Sequence, residues 1–296
     1  MKWLRAPMLA LVIVLIGVLP GDQDPLRVAS GPADLPRENV EFTFFAWSDQ
    51  HVTMDGEAGH LLPALEAMRR LPGRPYPPGI GDAVARPLFI FSAGDCTDWP
   101  TRAAVAAYDR AMARTGLPHF EIIGNHDEGD GASADAMRPC IASRHGSRSY
   151  AFDCGGVRFL CLFSPYESSQ RLSADSLAWL RKELSAIPRG RPVIMATHLS
   201  FDALHNRDEL VDCFGDANVI LILGGHLHRT RVNEYRGYPF LQLPSPKGSN
   251  EIIVIRLGMD RLVAIPFDYR RGTWSESPAT TIDRPIHRGA RNAPER

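Results

Sequence analysis

Five short apolar runs, each ending in a cluster of polar residues, constrain this chain more than any other feature. They are Phe42–Trp47, Leu88–Ala93, Phe120–Ile123, Pro192–Thr197 and Val219–Leu223. Runs of this length, closed by Gly, Asp, Asn, Ser or His, read as buried strands. Helical patterns lie between them. Leu61–Leu71 is one, and a run after Pro100 carrying Val105, Tyr108 and Met112 is another. A third follows Ser173, with Leu177, Leu180, Leu184 and Ile187 on one face, Ser173 as N-cap and Pro188 as its stop. This alternation predicts an α/β domain. After His228 the helices cease, and Arg231–Tyr235, Tyr238–Leu243, Glu251–Leu257 and Arg261–Phe267 read as strands. With the hairpin Ser149–Phe163, they predict antiparallel additions to a mixed sheet system. The Pro- and Gly-rich stretch Pro72–Pro87 reads as a surface insertion.

The polar clusters carry the chemistry, because open α/β sheets place their ligands at strand ends. Ser48-Asp49-Gln50-His51 follows the first run. In an extended segment Asp49 and His51, two apart, project to one side and suit a transition metal. Gly94-Asp95-Cys96-Thr97-Asp98 follows the second run, with Asp95 at the strand tip able to bridge two ions. Cys96 points away from it and reads as a buried structural thiol. Gly124-Asn125-His126-Asp127 offers an amide oxygen as ligand and His126 as proton donor. Asp127 reads as a turn or capping residue. His198 closes the fourth run, and Gly224-Gly225-His226-Leu227-His228 closes the fifth with two imidazoles two apart. His60, His119, His145 and His205 read as packing or solvated side chains, and His287 as solvated.

Taken in order, D-x-H, G-D-x-x-D, G-N-H-D, T-H and G-H-x-H resemble the calcineurin-like metallophosphoesterase superfamily, over roughly Phe42 to Phe267. The resemblance implies an α/β/β/α sandwich of two mixed sheets flanked by helices. It implies a first metal on Asp49, His51, Asp95 and His228, and a second on Asp95, Asn125, His198 and His226. Asp95 would then be the bridge, and a hydroxide shared by both ions the nucleophile. His126 would protonate the leaving alcohol, and Asp98 would hold the His126 imidazole in position. A second reading makes Asp98 the N-cap of the helix after Pro100. Four imidazoles among oxygen donors point to Fe, Mn, Zn or Ni rather than Mg or Ca.

The chain departs from some branches of that superfamily. Trp99-Pro100 stands where protein Ser/Thr phosphatases carry Arg-Gly, and Asp127 where they carry Glu. Asp98 stands where purple acid phosphatases carry Tyr. The motif forms are nearer the bacterial branch that includes class III cyclic-nucleotide phosphodiesterases. The expected activity is phosphate mono- or diester hydrolysis. A nuclease or cyclic-nucleotide phosphodiesterase of the same superfamily is the enzymatic alternative, and a fold retired into a binding role is the non-enzymatic one.

Charge bears on that choice. Lys+Arg 33 against Asp+Glu 34 gives a net charge of −1. This excludes a polybasic nucleic-acid binder and favours a small phosphate-ester substrate. With 44% hydrophobic residues it also excludes a wholly disordered chain. Lys2 and Arg5 precede the apolar run Met8–Leu19, which fits the core of an export signal better than a membrane span. An uncleaved anchor is the alternative and would be the chain's only membrane contact. Either way the body is expected to be exported: periplasmic, secreted or anchored facing outward. The expected divisions are 1–30 as signal peptide or anchor plus linker, 40–270 as the phosphoesterase domain, and 271–296 as a disordered tail. Five cysteines, Cys96, Cys140, Cys154, Cys161 and Cys213, predict no specific disulfide. A Gly155-Gly156 turn sets Cys154 opposite Val157.

Overall fold

The computed structural model describes residues 35–129, 135–165 and 169–288. The expected signal or anchor segment lies outside the described residues. Among the described residues no helix is long and apolar enough to cross a membrane.

The first apolar run is β1 (Phe42–Trp47), with every residue buried. It sits inside a seven-stranded sheet. On one side come β2 (Ile90–Ser92) and β3 (His119–Glu121), both parallel. On the other come β10 (Glu251–Leu257) and β11 (Arg261–Asp268), both antiparallel to their neighbours. The edge strands β12 (Thr273–Trp274) and β13 (Ile282–Pro285) both pair with β11.

A second, six-stranded sheet runs β4-β5-β6-β7-β9-β8. Its strands are β4 (Tyr150–Cys154), β5 (Val157–Leu162), β6 (Pro192–Leu199), β7 (Asn218–Gly225), β8 (Arg231–Tyr235) and β9 (Tyr238–Gln242). The hairpin of β4 and β5 places Cys154 opposite Val157, as its turn requires. All five cysteines are free.

The two sheets meet through aromatic rings. Phe44 of β1 stacks on Phe89 at 4.7 Å between centroids and meets Phe159 of β5 edge-on at 5.7 Å. Such pairs add to the area their rings remove from water. α1 (Leu62–Arg70) and α2 (Arg102–Ala113) contribute Leu65, Met68, Tyr108 and Met112 to the same core. α4 (Ala174–Ser185) and α5 (Arg207–Asp212) pack Leu177, Leu180, Leu184 and Leu210 against Val193, Met195 and Ile222 of the second sheet. The result is the expected sandwich of two mixed sheets flanked by helices.

Several local expectations change. The segment expected to be a disordered tail holds β12 and β13, and Trp274 packs on Phe267 at 4.9 Å and on Tyr76 at 5.3 Å. Its last residues, 289–296, lie outside the described residues. β9 pairs with β7 in parallel, not antiparallel. Between β3 and β4 lies one more helix, α3 (Met137–His145), and residues 130–134 of that stretch lie outside the described residues. The N-cap of α2 is Thr101, whose hydroxyl accepts the Ala104 N–H, and not Asp98. Ser173 caps α4 as expected, through the Ser176 N–H.

Candidate metal centre

All the clusters gather at one end of the sandwich. Asp49 and His51 follow β1, Asp95 follows β2, and Asn125 with His126 forms a 3-10 turn after β3. His198 lies near the end of β6, and His226 and His228 follow β7. Asp49, His51 and His228 bring ligand atoms within 4.8 Å of one another, as do His51, Asp95 and His126, and Asp95, His198 and His226. Asp95 and His51 therefore link a first group to a second.

Backbone strain marks the same residues. Asp49, His51, Asp95, His226 and His228 have φ of 54°, 49°, 53°, 76° and 58°. Left-handed backbone is costly for such residues and persists where the surroundings over-determine it, often at functional sites. Asp49 with His51, and His226 with His228, therefore do not project from extended backbone as their two-apart spacing predicts. These segments are not extended; they curl, and the curl aims the side chains. Gly94, at φ 95°, lets the chains close up. A Cβ there would stand 2.7 Å from His198 Nδ1 and 2.8 Å from the Gly124 nitrogen.

Within the first group, His51 Nε2 lies 3.1 Å from His228 Nε2, and His228 Nε2 lies 3.4 Å from Asp49 Oδ1. Within the second, His198 Nε2 lies 3.2 Å from Asp95 Oδ2 and 3.1 Å from Asn125 Oδ1, with His226 Nδ1 2.9 Å from the same amide oxygen. Nitrogen and oxygen donors at about 2.1 Å from a shared cation stand roughly 3.0–3.4 Å apart, so the residues present fit a bound metal. The donor set, imidazoles with carboxylates and one amide, suits a transition metal. The seven residues expected as ligands are thus all brought together.

Outer contacts orient them. The Asp49 carboxylate accepts the His226 N–H at 2.9 Å and 3.1 Å. Asp127 is the capping residue expected of it: its carboxylate accepts from the backbones of Gly124, Cys96 and Thr97 and from the Thr97 hydroxyl. Burial, then the charge of Asp95, pushes the Asp127 carboxyl up to about 7. Burial would raise Asp95 as well, but the facing His198 outweighs it and holds Asp95 at about 2. The same pairing overcomes burial to lift His198 to about 10. Burial, ahead of every other influence, lowers His51 and His226, favouring the neutral imidazoles that bind cations. Cys96 is fully buried beside Ser92, and burial raises its thiol well above the ordinary value, which suits a structural role.

A calcineurin-like phosphoesterase model matches residues 43–230, from the second residue of β1 to just past His228. The chain belongs to the calcineurin-like phosphoesterase family. No curated protein matches it. Among solved structures, the GAP50 anchor of the Plasmodium inner membrane complex is similar with a TM-score of 0.56 and 12% identity, covering 85% of this chain and 90% of its own. The phosphopantetheinyl hydrolase PptH of Mycobacterium tuberculosis gives a TM-score of 0.43 at 14% identity, over 82% of this chain and 96% of its own. At such identities the likeness to solved structures shows the fold alone.

In this calcineurin-like phosphoesterase one expected role changes. The Asp98 carboxylate does not hold the His126 imidazole. His126 Nδ1 lies 3.1 Å from the backbone carbonyl of Asp98, while Oδ1 of Asp98 lies 3.0 Å from His51 Nδ1. That last contact is close but not aligned as a hydrogen bond. Both Asp98 oxygens also meet Lys247 Nζ, a residue that sequence reasoning missed. Lys247 is one of only three lysines, with Lys2 and Lys182, but no spacing connects it to Asp98. Gln170, 3.4 Å from His226 Nε2, was missed for the same reason. Of the other histidines, His60 bonds the Gln50 carbonyl, His205 bonds the Ser169 carbonyl, and His145 stacks on Tyr150. His119 is buried in β3.

Proposed function

We propose that this protein hydrolyses small phosphate mono- or diesters with two transition-metal cations held by Asp49, His51, Asp95, Asn125, His198, His226 and His228. One observation carries the reading: seven donor side chains from five strand ends converge in overlapping groups linked through His51 and Asp95. Fe, Mn, Zn or Ni bound there supplies Lewis acidity toward phosphoryl oxygens and an acidified water as nucleophile.

The chain's own groups position the reaction. A carbonyl oxygen only accepts, so His126 Nδ1 donates to Asp98, and Nε2 is the nitrogen from which the imidazolium form would pass its second proton to a leaving alcohol. The His126 N–H donates to Asp95 Oδ1 at 2.8 Å, which ties the proton donor's backbone to the shared ligand. The exposed His126 ring stands edge-on to His51 at 4.8 Å, on the open side of the site. The net charge of −1 supports a small ester over a nucleic acid, which is bound through excess positive charge. The apolar run Met8–Leu19 supports a reaction carried out after export, by a secreted, periplasmic or outward-facing anchored protein.

The test is hydrolysis of aryl phosphate monoesters, diesters and cyclic nucleotides by the full chain loaded with Mn, Fe, Zn or Ni. Asp95→Asn should lose at least about a thousandfold in rate, since that carboxylate stands between His198 at 3.2 Å and His51 at 3.9 Å and would serve both cations. Equal rates in wild type and Asp95→Asn would sink the reading.

A further inference from the structure

The segment after β9 folds back over the first ligand loop. Ser48 donates its N–H to the Pro244 carbonyl at 2.9 Å, and Ser245 donates its hydroxyl to the Asp49 carbonyl at 2.7 Å. Gly248 and Ser249 close a turn on the Ser245 carbonyl. That turn lies against His228, since a Cβ on Gly248 would stand 3.1 Å from the His228 Cβ and carbonyl oxygen. Lys247 projects from this braced turn.

Its ammonium lies 2.9 Å and 3.1 Å from the two oxygens of Asp98. The nearer of those oxygens lies 3.0 Å from His51 Nδ1. On the far side of the same ring, Nε2 faces His228 at 3.1 Å and both Asp49 and Asp95 at 3.9 Å. An ammonium, a carboxylate and an imidazole therefore stand in line behind the first cation group.

We propose that Asp98, held by Lys247, is a positioning residue for the metal ligand His51 and not for the proton donor His126. The inference rests on the phosphoesterase reading above. A carboxylate 3.0 Å from Nδ1 favours the tautomer with its hydrogen on that nitrogen and leaves the Nε2 lone pair facing the cation group. Asp98 is about a quarter exposed, so its carboxylate would otherwise be free to turn toward water. Lys247 occupies both oxygens and stops that rotation. His51, like Asp49, Asp95, His226 and His228, has left-handed backbone, so no regular strand or helix fixes its aim.

The experiment strips metal from the full chain with chelator and retitrates it with Mn2+ by calorimetry. Wild type should bind two Mn2+ per chain. Lys247→Met and Asp98→Ala should each weaken one of the two by about 10- to 100-fold and leave the other unchanged. Lys247→Arg should recover most of the loss, which a general effect on folding would not allow. Lys247 is half-exposed, so Lys247→Met should keep the wild-type circular dichroism and melting temperature of the metal-free protein. Unchanged Mn2+ affinity at both sites in Lys247→Met and Asp98→Ala would overturn the inference alone. So would an Asp98→Ala variant that keeps both cations yet shows the leaving-group dependence of His126→Ala, because Asp98 would then serve His126. A wild type that takes up no Mn2+ would overturn the phosphoesterase reading, and this inference with it.

Discussion

His198 Nδ1 lies 2.7 Å from the carbonyl oxygen of Ala93, a bond that ties β6 of one sheet to the end of β2 in the other. The carbonyl can only accept, so Nδ1 carries a hydrogen. Nε2 then faces Asp95 Oδ2 at 3.2 Å, where either a proton or a cation must sit between nitrogen and oxygen. The ligand cluster is thus a place where bound metal stabilises the folded chain directly. A cation at a thousand times its dissociation constant adds about 4 kcal/mol by mass action. For a chain of this size that corresponds to a rise of roughly 10 °C in melting temperature. Differential scanning calorimetry with Mn2+ and with chelator measures it; identical melting temperatures would contradict the metal centre.

Gly94 is packed between the Gly124 backbone after β3 and the His198 ring from the other sheet. Gly94→Ala demands a left-handed alanine and puts a Cβ 2.7 Å from His198 Nδ1. Strain and overpacking together should destabilise the protein by about 3 kcal/mol. His198 must also move, so the second cation should be lost before the first. Urea unfolding of the metal-free variant reads the first effect, and Mn2+ stoichiometry the second.

A buried charge cluster at the edge strand β3 sets the acid limit of stability. Arg144 of α3 pairs with Glu121, and with Asp109 of α2 at 2.7 Å. Burial would raise the Glu121 carboxyl, but Arg144 outweighs it and holds the group well below the carboxylate range. A carboxyl depressed in the folded state contributes stability above its unfolded pKa and loses it as pH falls toward the folded value. Burial lowers the neighbouring His119, whose contribution likewise falls as pH drops below about 6.5. Stability should therefore decline steadily from about pH 6 toward pH 3. Arg144→Met leaves Glu121 buried without its cation, at a cost of about 3–5 kcal/mol. Burial then raises the Glu121 carboxyl instead, so its contribution should fall as pH rises. Urea unfolding across pH 4–8 checks both slopes; parallel curves for the two proteins would refute the assignment.

How much of this was legible in the sequence follows from how local each feature is. β1 ends at Trp47 just as its apolar run does, and every ligand expected from the motifs stands in the cluster. Those signals lie within a few residues of each other. Features that depend on distant partners were not legible. β12 and β13 are short and polar, and they exist because β11 offers them an edge and Trp274 reaches Phe267 and Tyr76. The Asp98 carboxylate was matched to His126 by motif, yet Lys247, 149 positions away, and His51 share it. The left-handed ligand loops were misread as extended because nothing in D-x-H distinguishes a curl from a strand. Only the surrounding fold imposes that conformation.

His126 offers the sharpest kinetic test of the mechanism. Its ring is exposed above the cluster, and Nδ1 is committed to the Asp98 carbonyl, so Nε2 is the atom that meets the leaving group. Protonation matters when the departing oxygen is a strong base and little when it is a weak one. With alkyl phosphates, whose alcohols leave poorly, His126→Ala should lose about 10²- to 10⁴-fold in kcat. With nitrophenyl esters, whose phenolates depart unaided, the loss should stay within about tenfold. His126 is no cation ligand in this scheme, so Mn2+ stoichiometry should remain at the wild-type value. A plot of log kcat against leaving-group pKa should therefore be steeper for the variant than for wild type. Equal slopes would remove His126 as the proton donor, while a steeper slope with lost Mn2+ would place it among the ligands.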